Sequence, residues 1–178
     1  KGLKALDEFE KLDQKQVDHI VAKASVAALN KHLVLAKMAV DETHRGLVED
    51  KATKNIFACE HVTNYLAGQK TVGIIREDDV LGIDEIAEPV GVVAGVTPVT
   101  NPTSTAFYKS EISIKAGNAI VFSPHPNARN CILEAVKVIR QAIAEAGGNE
   151  NLVSCITIPT MEATDNLKVD VVLTCGGS

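Results

Sequence analysis

Side chains that could bind a ligand are densest at residues 97–105, which read TPVTNPTST. Hydroxyl and amide groups crowd this segment, and Pro98 and Pro102 restrict its backbone. Because Pro102 precedes residues that favour a helix start, the free N–H groups of that helix would attract an anion or a carbonyl oxygen. A capped turn with solvated hydroxyls could carry the same residues, but their density favours a ligand site.

A second rigid turn, Ser123-Pro124-His125-Pro126-Asn127, follows a short apolar run. Ser123 would leave a strand with its hydroxyl at the edge of a sheet, where it suits a hydrogen bond to a ribose or to an adenosine phosphate. Proline on both sides fixes the backbone around His125. A single surface histidine is more often structural than a catalytic base, so we assign His125 no proton-transfer role.

The third candidate segment is Thr174-Cys175-Gly176-Gly177-Ser178. Paired glycines after a strand let the backbone approach a pyrophosphate closely. This signal is weak, because the chain contains no G-x-G-x-x-G fingerprint. Cys175 could be an exposed nucleophile, but no His or acidic partner can be assigned to it. A small thiol that fills a strand end is the more common role.

Composition narrows the class of protein that holds these segments. Apolar residues make up 46% and aromatic residues 3%, with no Trp, so we expect a core of aliphatic side chains. The net charge of −5 and the lack of a basic stripe argue against a nucleic-acid partner, and no apolar run is long enough to span a membrane. The four cysteines never form a C-x-x-C pair. We therefore expect no metal site, no disulfide framework and a reducing, cytoplasmic location.

From residue 89 onward, β-prone and helical runs alternate at a spacing typical of βαβ units. We predict an α/β fold, a Rossmann-like open parallel sheet with helices on both faces. The predicted strands are residues 90–97, 119–123, 152–158 and 169–174, and the predicted helices are residues 103–115, 127–146 and 161–167. Ligands of such sheets bind beyond the carboxyl ends of the strands, which is where the three candidate segments lie.

Helical patterns fill the region before this sheet. Residues 1–68 are predicted to form helices that pack on the α/β domain, with Asp13 as an N-cap and Gly46 as a stop signal. A further helix is expected over residues 48–66. These helices are amphipathic, so their apolar faces must pack against another part of the protein.

Between these helices and the sheet, residues 69–88 are predicted to be a β-hairpin extension. Its two strands are expected at residues 71–75 and 80–86. The acidic residues 77–79 between them are expected to form a solvated turn.

Several motifs resemble the aldehyde dehydrogenase superfamily. They are Glu88-Pro89-Val90-Gly91-Val92-Val93, then Thr97-Pro98 and Pro102, then a helix with Lys109 and Lys115, and then Gly117-Asn118. The segment TNPTST, followed by SPHP, is similar to the CoA-acylating branch, above all to the N-terminal half of the bifunctional aldehyde-alcohol dehydrogenases. Residues 35–39 and 48–51 and the pair Lys54-Asn55 match that branch too, so the resemblance covers essentially the whole chain.

The resemblance implies an enzyme that interconverts acetaldehyde, or another short aldehyde, and acyl-CoA, with NAD as hydride carrier and coenzyme A as co-substrate. Residues 89–178 would be an incomplete NAD-binding domain, and the nucleophilic cysteine would lie in a catalytic domain beyond Ser178. Thr100 and Asn101 are the candidates for binding the oxyanion, because the superfamily places an Asn where Thr100 stands. The residues implied to contact NAD are Thr97, Pro98, Val99, Thr100, Ser123, Pro124, His125, Gly176, Gly177 and Ser178.

Other readings remain open at this point. One is a semialdehyde dehydrogenase that acts on an acyl phosphate, and another is a stand-alone nucleotide-binding or assembly module without catalysis. Ser123 stands where the superfamily carries a lysine, so NAD and NADP are not distinguished. The resemblance also implies a longer connection between Asn166 and Val169. A homo-oligomer is expected from apolar surface left open near the strand ends, and the resemblance implies filament-forming relatives.

Overall fold

The N-terminal part of the chain forms helices whose ends are set by local capping. The computed structural model describes residues 2–175. The first three helices are α1 (Gly2–Phe9), α2 (Gln14–Leu29) and α3 (His32–Thr43). Asp13 caps α2 as predicted: its carboxylate accepts from the Gln16 N–H at 2.9 Å, and the Gln16 side chain accepts from the Asp13 N–H at 3.0 Å. Helix α3 ends at Thr43, before the predicted stop at Gly46, because His44 already takes a left-handed conformation with φ 52°.

The helix predicted over residues 48–66 is present, but it is widened in the middle. Helix α4 (Val48–Ile56) runs through a π-helical segment (Phe57–Val62) into α5 (Thr63–Leu66). The hydroxyl of Ser25 on α2 donates to the Cys59 carbonyl within the π segment. A tertiary contact therefore accompanies the local change of helical geometry.

The predicted hairpin is present, with shifted strands. Strand β1 (Gly73–Asp78) pairs antiparallel with β2 (Ile83–Ala87). The prediction that all three acidic residues form the turn was wrong, because residues 77 and 78 pair within the ladder. The turn lies further along the chain, where the Asp78 carboxylate accepts from the N–H groups of Val80 and Leu81.

Four parallel strands form the predicted sheet, in the order β5-β4-β3-β6. They are β3 (Val92–Thr97), β4 (Ala119–Pro124), β5 (Val153–Cys155) and β6 (Val171–Leu173). The helices between them are α6 (Pro102–Lys115), α7 (Arg129–Glu145) and α8 (Met161–Asp165). Strands β5 and β6 are shorter than predicted, since each pairs with a neighbour over only three residues. Helix α7 begins later than predicted, after a 3₁₀ turn at Pro126–Ala128.

Helices flank the sheet, as the βαβ pattern predicts. The chain moves in one direction from β3 through β4 to β5, so right-handed crossovers place α6 and α7 on one face, and the return to β6 places α8 on the other. Helix α2 packs across α6 and α7. The core is mainly aliphatic, and Phe107 and Phe122 are fully buried in it. None of the helices within residues 2–175 is long and apolar enough to cross a membrane.

The motifs Glu88–Gly91 and Gly117–Asn118 fasten the amino end of the sheet. The Asn118 side-chain oxygen accepts from the N–H groups of Val90 and Gly91, at 2.7 and 3.0 Å. The Asp170 carboxylate accepts from the Val92 N–H at 2.8 Å and occupies the space that a Cβ at Gly91 would need. Gly91 has φ +121°, a conformation that other residues rarely adopt. These motifs are therefore structural and lie at the end of the sheet away from the predicted ligand edge.

Candidate cofactor and active site

The first two predicted ligand segments lie side by side at the carboxyl edge of the sheet. Thr97 ends β3, and its hydroxyl donates to the Ser123 carbonyl on β4 at 3.3 Å. Both residues are buried. The loop that follows β3 rises to the surface, where Pro98 and Val99 are half-buried and Thr100 is exposed. Thr100 is thus the most accessible of the predicted site residues in this loop.

Two lysines of helix α4 donate hydrogen bonds to this loop. The Lys51 ammonium donates to the Thr100 carbonyl at 2.7 Å, and the Lys54 ammonium donates to the Asn101 side-chain oxygen at 2.9 Å. Lys51 is buried, and burial, followed by the nearby Lys54 charge, lowers the pKa of its ammonium group. Two positively charged side chains therefore contact the segment that is predicted to bind an anion or an oxyanion.

The first turn of α6 has free backbone donors. Asn101 occupies the N-cap position, but its side chain makes no capping hydrogen bond. Pro102 has no N–H, so the first N–H groups available to a ligand are those of Thr103 and Ser104. The Thr103 hydroxyl already has a partner, because it donates to the Asn55 side-chain oxygen at 2.9 Å. This helix end can accept the negative oxygen of a ligand.

The corresponding end of α7 is already filled. The Glu42 carboxylate, from α3, accepts from the backbone N–H groups of Asn130 and Cys131 at 2.8 and 2.7 Å. These are donors of the first turn of α7 and would otherwise lack partners. Of the two helices that leave β3 and β4, only α6 offers its N-terminus to a ligand.

Two further predicted residues already have partners within the chain. The Ser123 hydroxyl lies 2.7 Å from the Thr164 hydroxyl of α8. The half-buried His125 accepts through Nδ1 from the Asn127 N–H at 3.1 Å and so caps the short 3₁₀ turn. Pro124 is buried at the end of β4.

Lys109 joins β3 and β6 beneath the same edge. Its ammonium donates to the Val96 carbonyl at 2.7 Å and to the Leu173 carbonyl at 2.8 Å, and its side chain is fully buried. Burial lowers the pKa of Lys109, and the neighbouring Cys175 opposes that effect. The predicted contacts at Gly176, Gly177 and Ser178 lie outside the described residues.

Three of the four cysteines, Cys59, Cys131 and Cys155, are wholly or partly buried and unsuited to nucleophilic attack. Burial raises the pKa of the Cys59 thiol, and the charge of Glu111 raises it further. Burial raises the pKa of both Cys131 and Cys155 to about 12. Because the thiolate is the nucleophile, these groups are inert at neutral pH. Cys175 is the exposed one, and it lies next to Lys109.

A cavity of about 570 Å³ lies far from these residues. It is formed by the turn between α1 and α2 and by the base of the hairpin, and Phe9, Leu12, Ile86 and Pro89 are among its lining residues. Since Pro89 and Gly117 belong to the amino end of the sheet, this cavity is separate from the candidate site.

The sequence profile of the aldehyde dehydrogenase family matches residues 1–176. The chain belongs to the aldehyde dehydrogenase family. Aldehyde-alcohol dehydrogenase 2 of Entamoeba histolytica is 56% identical over 180 residues, which cover 98% of this chain and 21% of that protein. The chain thus spans about a fifth of the length of this curated relative.

Solved structures of aldehyde dehydrogenases share the fold. A probable aldehyde dehydrogenase from Listeria monocytogenes superposes with a TM-score of 0.97 at 48% identity, over 99% of this chain and 40% of that one. The propionaldehyde dehydrogenase of Rhodopseudomonas palustris, solved with bound propionyl-CoA, gives a TM-score of 0.82 at 30% identity, over 98% of this chain and 39% of that one. The resemblance and the fold predicted from the sequence are therefore confirmed.

The side chains of α3 and α4 that contact residues around this candidate site could not be identified from the sequence. Lys51 and Lys54 match the CoA-acylating branch, but the sequence indicates no contact for them, and it indicates none for Glu42. Their partners are 47 to 89 residues away along the chain, so nothing in the local sequence marks them. The one available signal was spacing, because lysines three residues apart share a helix face.

Proposed function

We propose that the protein containing this chain is an NAD-dependent, CoA-acylating aldehyde dehydrogenase. It would convert acetaldehyde or another short aldehyde, NAD⁺ and coenzyme A into acyl-CoA, NADH and a proton, and would also run the reverse reaction. The observation that carries the proposal is the 56% identity, over nearly the whole chain, to an aldehyde-alcohol dehydrogenase. The bound propionyl-CoA of the more distant relative supports an acyl-CoA as substrate or product.

The residues at the carboxyl edge suit this chemistry. A cysteine thiolate from the remainder of the protein would attack the aldehyde, and negative charge would develop on the former carbonyl oxygen. The Asn101 amide and the free N–H groups of α6 provide donors for that oxygen, and Thr100 provides a hydroxyl. When bound, NAD⁺ accepts the hydride, and the thiol of coenzyme A then releases the acyl group from the cysteine as a thioester.

The cofactor contacts proposed for this chain are the segments at the ends of β3, β4 and β6. Residues 97–100 approach from β3, Ser123, Pro124 and His125 from β4, and Gly176, Gly177 and Ser178 from the end of the chain. We propose NAD as the hydride acceptor because the resemblance to the aldehyde-alcohol dehydrogenases implies it; Ser123 does not decide between NAD and NADP, since its hydroxyl lies 2.7 Å from the Thr164 hydroxyl. The comparison of kcat/KM for the two dinucleotides decides this point.

Turnover assays on the whole protein test the proposal. We expect acetaldehyde to be oxidised with NAD⁺ only when coenzyme A is added, and the rate to saturate with coenzyme A. Replacement of coenzyme A by inorganic phosphate separates this activity from that of a semialdehyde dehydrogenase acting on an acyl phosphate. A rate that is independent of coenzyme A, or NAD⁺ binding without any turnover, would contradict the proposed reaction.

Asn101→Ala tests the oxyanion role. We expect kcat to fall by about 100-fold, which is the loss typical of removing one oxyanion donor, with little change in the KM for NAD⁺. Asn64→Ala, which removes an exposed amide from α5, is the matched control and should leave kcat unchanged. Thr100→Ala shows which of the two neighbouring residues is the donor.

We further propose that the protein is cytoplasmic and self-associates. Its cysteines are free thiols, as is usual in a reducing compartment. A two-stranded hairpin is only marginally stable alone. Strands β1 and β2 nevertheless expose the side chains of Ile74, Ile83 and Ile86, and we propose that a second copy of the chain covers these side chains. Light scattering after gel filtration should show an oligomer that Ile86→Lys reduces in size, and a monomeric wild type would contradict this. Repetition of such contacts between copies would produce a filament, which we include in the proposal.

A further inference from the structure

One face of α4 contacts the loop that precedes α6 through three side chains. Lys51 reaches the Thr100 carbonyl, Lys54 reaches the Asn101 amide oxygen, and Asn55 accepts from the Thr103 hydroxyl. Positions three and four residues apart share a helix face, so one rigid element fixes the loop at three successive points. We call Lys51, Lys54 and Asn55 the α4 clamp.

Lys54 determines which way the Asn101 amide points. An ammonium group has three donors and no acceptor, so it can face only the oxygen of an amide. At 2.9 Å it holds Oδ1 of Asn101, and the amide nitrogen must then point away from α4. Within residues 2–175, Nδ2 makes only a long contact of 3.5 Å, with the Thr100 hydroxyl. Its N–H groups are therefore left to donate to a ligand.

Lys51 and Asn55 bond to other groups of this segment, Lys51 to the Thr100 carbonyl and Asn55 to the Thr103 hydroxyl, and not to this amide. Lys51 holds the Thr100 carbonyl at 2.7 Å from a buried position. Asn55 is fully buried, and its Nδ2 donates to the His32 carbonyl at 2.8 Å, which ties α4 to the start of α3. The loop is thus attached to the helical layer independently of Lys54.

We propose that Lys54 is a positioning residue for the reaction, which holds the Asn101 amide with its N–H towards the oxyanion, while Lys51 and Asn55 fix the loop that carries it. This inference rests on the function proposed above. A preoriented donor costs no rearrangement when charge develops on the substrate oxygen. Without the ammonium, the amide can rotate and present its oxygen, which repels an oxyanion.

Kinetics of the whole protein test the proposal. In Lys54→Met we expect kcat for acetaldehyde oxidation to fall by about 10-fold or more, less than the loss from removing the donor itself, with the KM for NAD⁺ within about twofold of wild type. Lys54→Arg keeps a charged donor and should recover most of the loss. Lys137→Met, a substitution at an exposed position on α7, is the matched control.

A double-mutant comparison separates orientation from general damage. If Lys54 acts through the Asn101 amide, Lys54→Met should cause no further loss of kcat in an Asn101→Ala background. Hydrogen exchange of residues 98–106 should be unchanged in Lys54→Met and faster in Lys51→Met, since only Lys51 holds the backbone.

The outcomes point in different directions. A Lys54→Met variant that matches Lys137→Met in kcat, or an undiminished effect of Lys54→Met in the Asn101→Ala background, overturns the inference and leaves the proposed function standing. A wild-type protein that lacks turnover with coenzyme A overturns the proposed function, and the inference with it. A selective fall in kcat, rescued by Arg and absent without Asn101, supports both.

Discussion

Glu42 and Cys131 are 89 residues apart in the sequence, and a 2.7 Å hydrogen bond joins the Cys131 N–H to the Glu42 carboxylate. The other carboxylate oxygen accepts from Asn130. A carboxylate from one helix thereby caps another, and its charge complements the positive end of the α7 dipole.

Glu42→Ala should therefore expose the first turn of α7. Loss of a helix cap costs about 1 kcal/mol, and we expect faster hydrogen exchange at the amides of residues 130 and 131. Glu134→Ala removes a carboxylate of α7 itself that pairs with Lys137, and serves as the control. Equal exchange rates in the two variants would show that the Glu42 contact contributes nothing.

Glu111 should make stability depend on pH. Burial raises the pKa of its carboxyl from the usual 4.5 to about 8, and one of its oxygens has no hydrogen-bond partner in the described structure. As the pH rises from about 4.5 to about 8, the unfolded chain loses this proton while the folded protein retains it. The free energy of unfolding then falls by up to about 1.4 kcal/mol per pH unit and levels off above pH 8.

Glu111→Gln removes this dependence. We expect the thermal midpoints of variant and wild type to be similar near pH 5 and to diverge in favour of the variant towards pH 8. Glu134→Gln, at an exposed position, should show no such trend. A gap between Glu111→Gln and wild type that stays constant with pH would mean that Glu111 is not protonated in the folded protein.

Gly91→Ala should destabilise the amino end of the sheet. The new Cβ would clash with the Asp170 carboxylate, so the hydrogen bond from the Val92 N–H to that carboxylate would be lost. The positive φ of residue 91 would also strain the backbone, because alanine rarely adopts it. Strain and the lost bond together suggest about 2 kcal/mol or more. Gly82→Ala is the control, because Gly82 also has positive φ but open space around it. Denaturant midpoints should fall more for Gly91→Ala, and equal shifts would leave only backbone strain as the cause.

Lys109→Met should loosen β6. The ammonium is the shared donor of the Val96 and Leu173 carbonyls, and hydrogen bonds to a charged group contribute about 1.5–3 kcal/mol each. Amides of residues 171–173 should exchange at least about tenfold faster. Lys115→Met, on the same helix as Lys109, breaks a partly buried ion pair with Asp18 of α2 and should leave β6 exchange unchanged. The same increase in both variants would indicate general destabilisation.

The elements that the sequence predicted well are those encoded by local pattern. Apolar residues at three- and four-residue spacing predicted α2, the alternation of β-prone and helical runs predicted α6 and α7, and Asp13 before Gln16 predicted a helix start. The π-helical segment could not be predicted, because it accompanies a contact between Ser25 and Cys59 that exists only in the folded chain. Strand β5 was predicted too long, because apolar runs do not show how many residues find a partner.

The candidate site was predictable in part for the same reason. Clustered hydroxyls and prolines identified residues 97–105, since those residues are contiguous. The side chains that orient them, Lys54 above all, belong to a helix that meets the loop only in three dimensions. Two of the predicted contacts, Thr97 and Ser123, are buried, and the Ser123 hydroxyl lies against Thr164 of α8, a contact that the sequence does not reveal.

The fastening of Gly91 by Asn118 and Asp170 has a consequence for how such proteins diverge. These residues lie at the amino end of the sheet, and the loops at 97–101 and 123–125 lie at the carboxyl end. Mutations at one end change how much folded protein a cell obtains, and mutations at the other change what the folded protein accepts. Under the function proposed above, copies of one ancestral gene could therefore exchange one aldehyde or one dinucleotide for another while the amino-end residues stay constant.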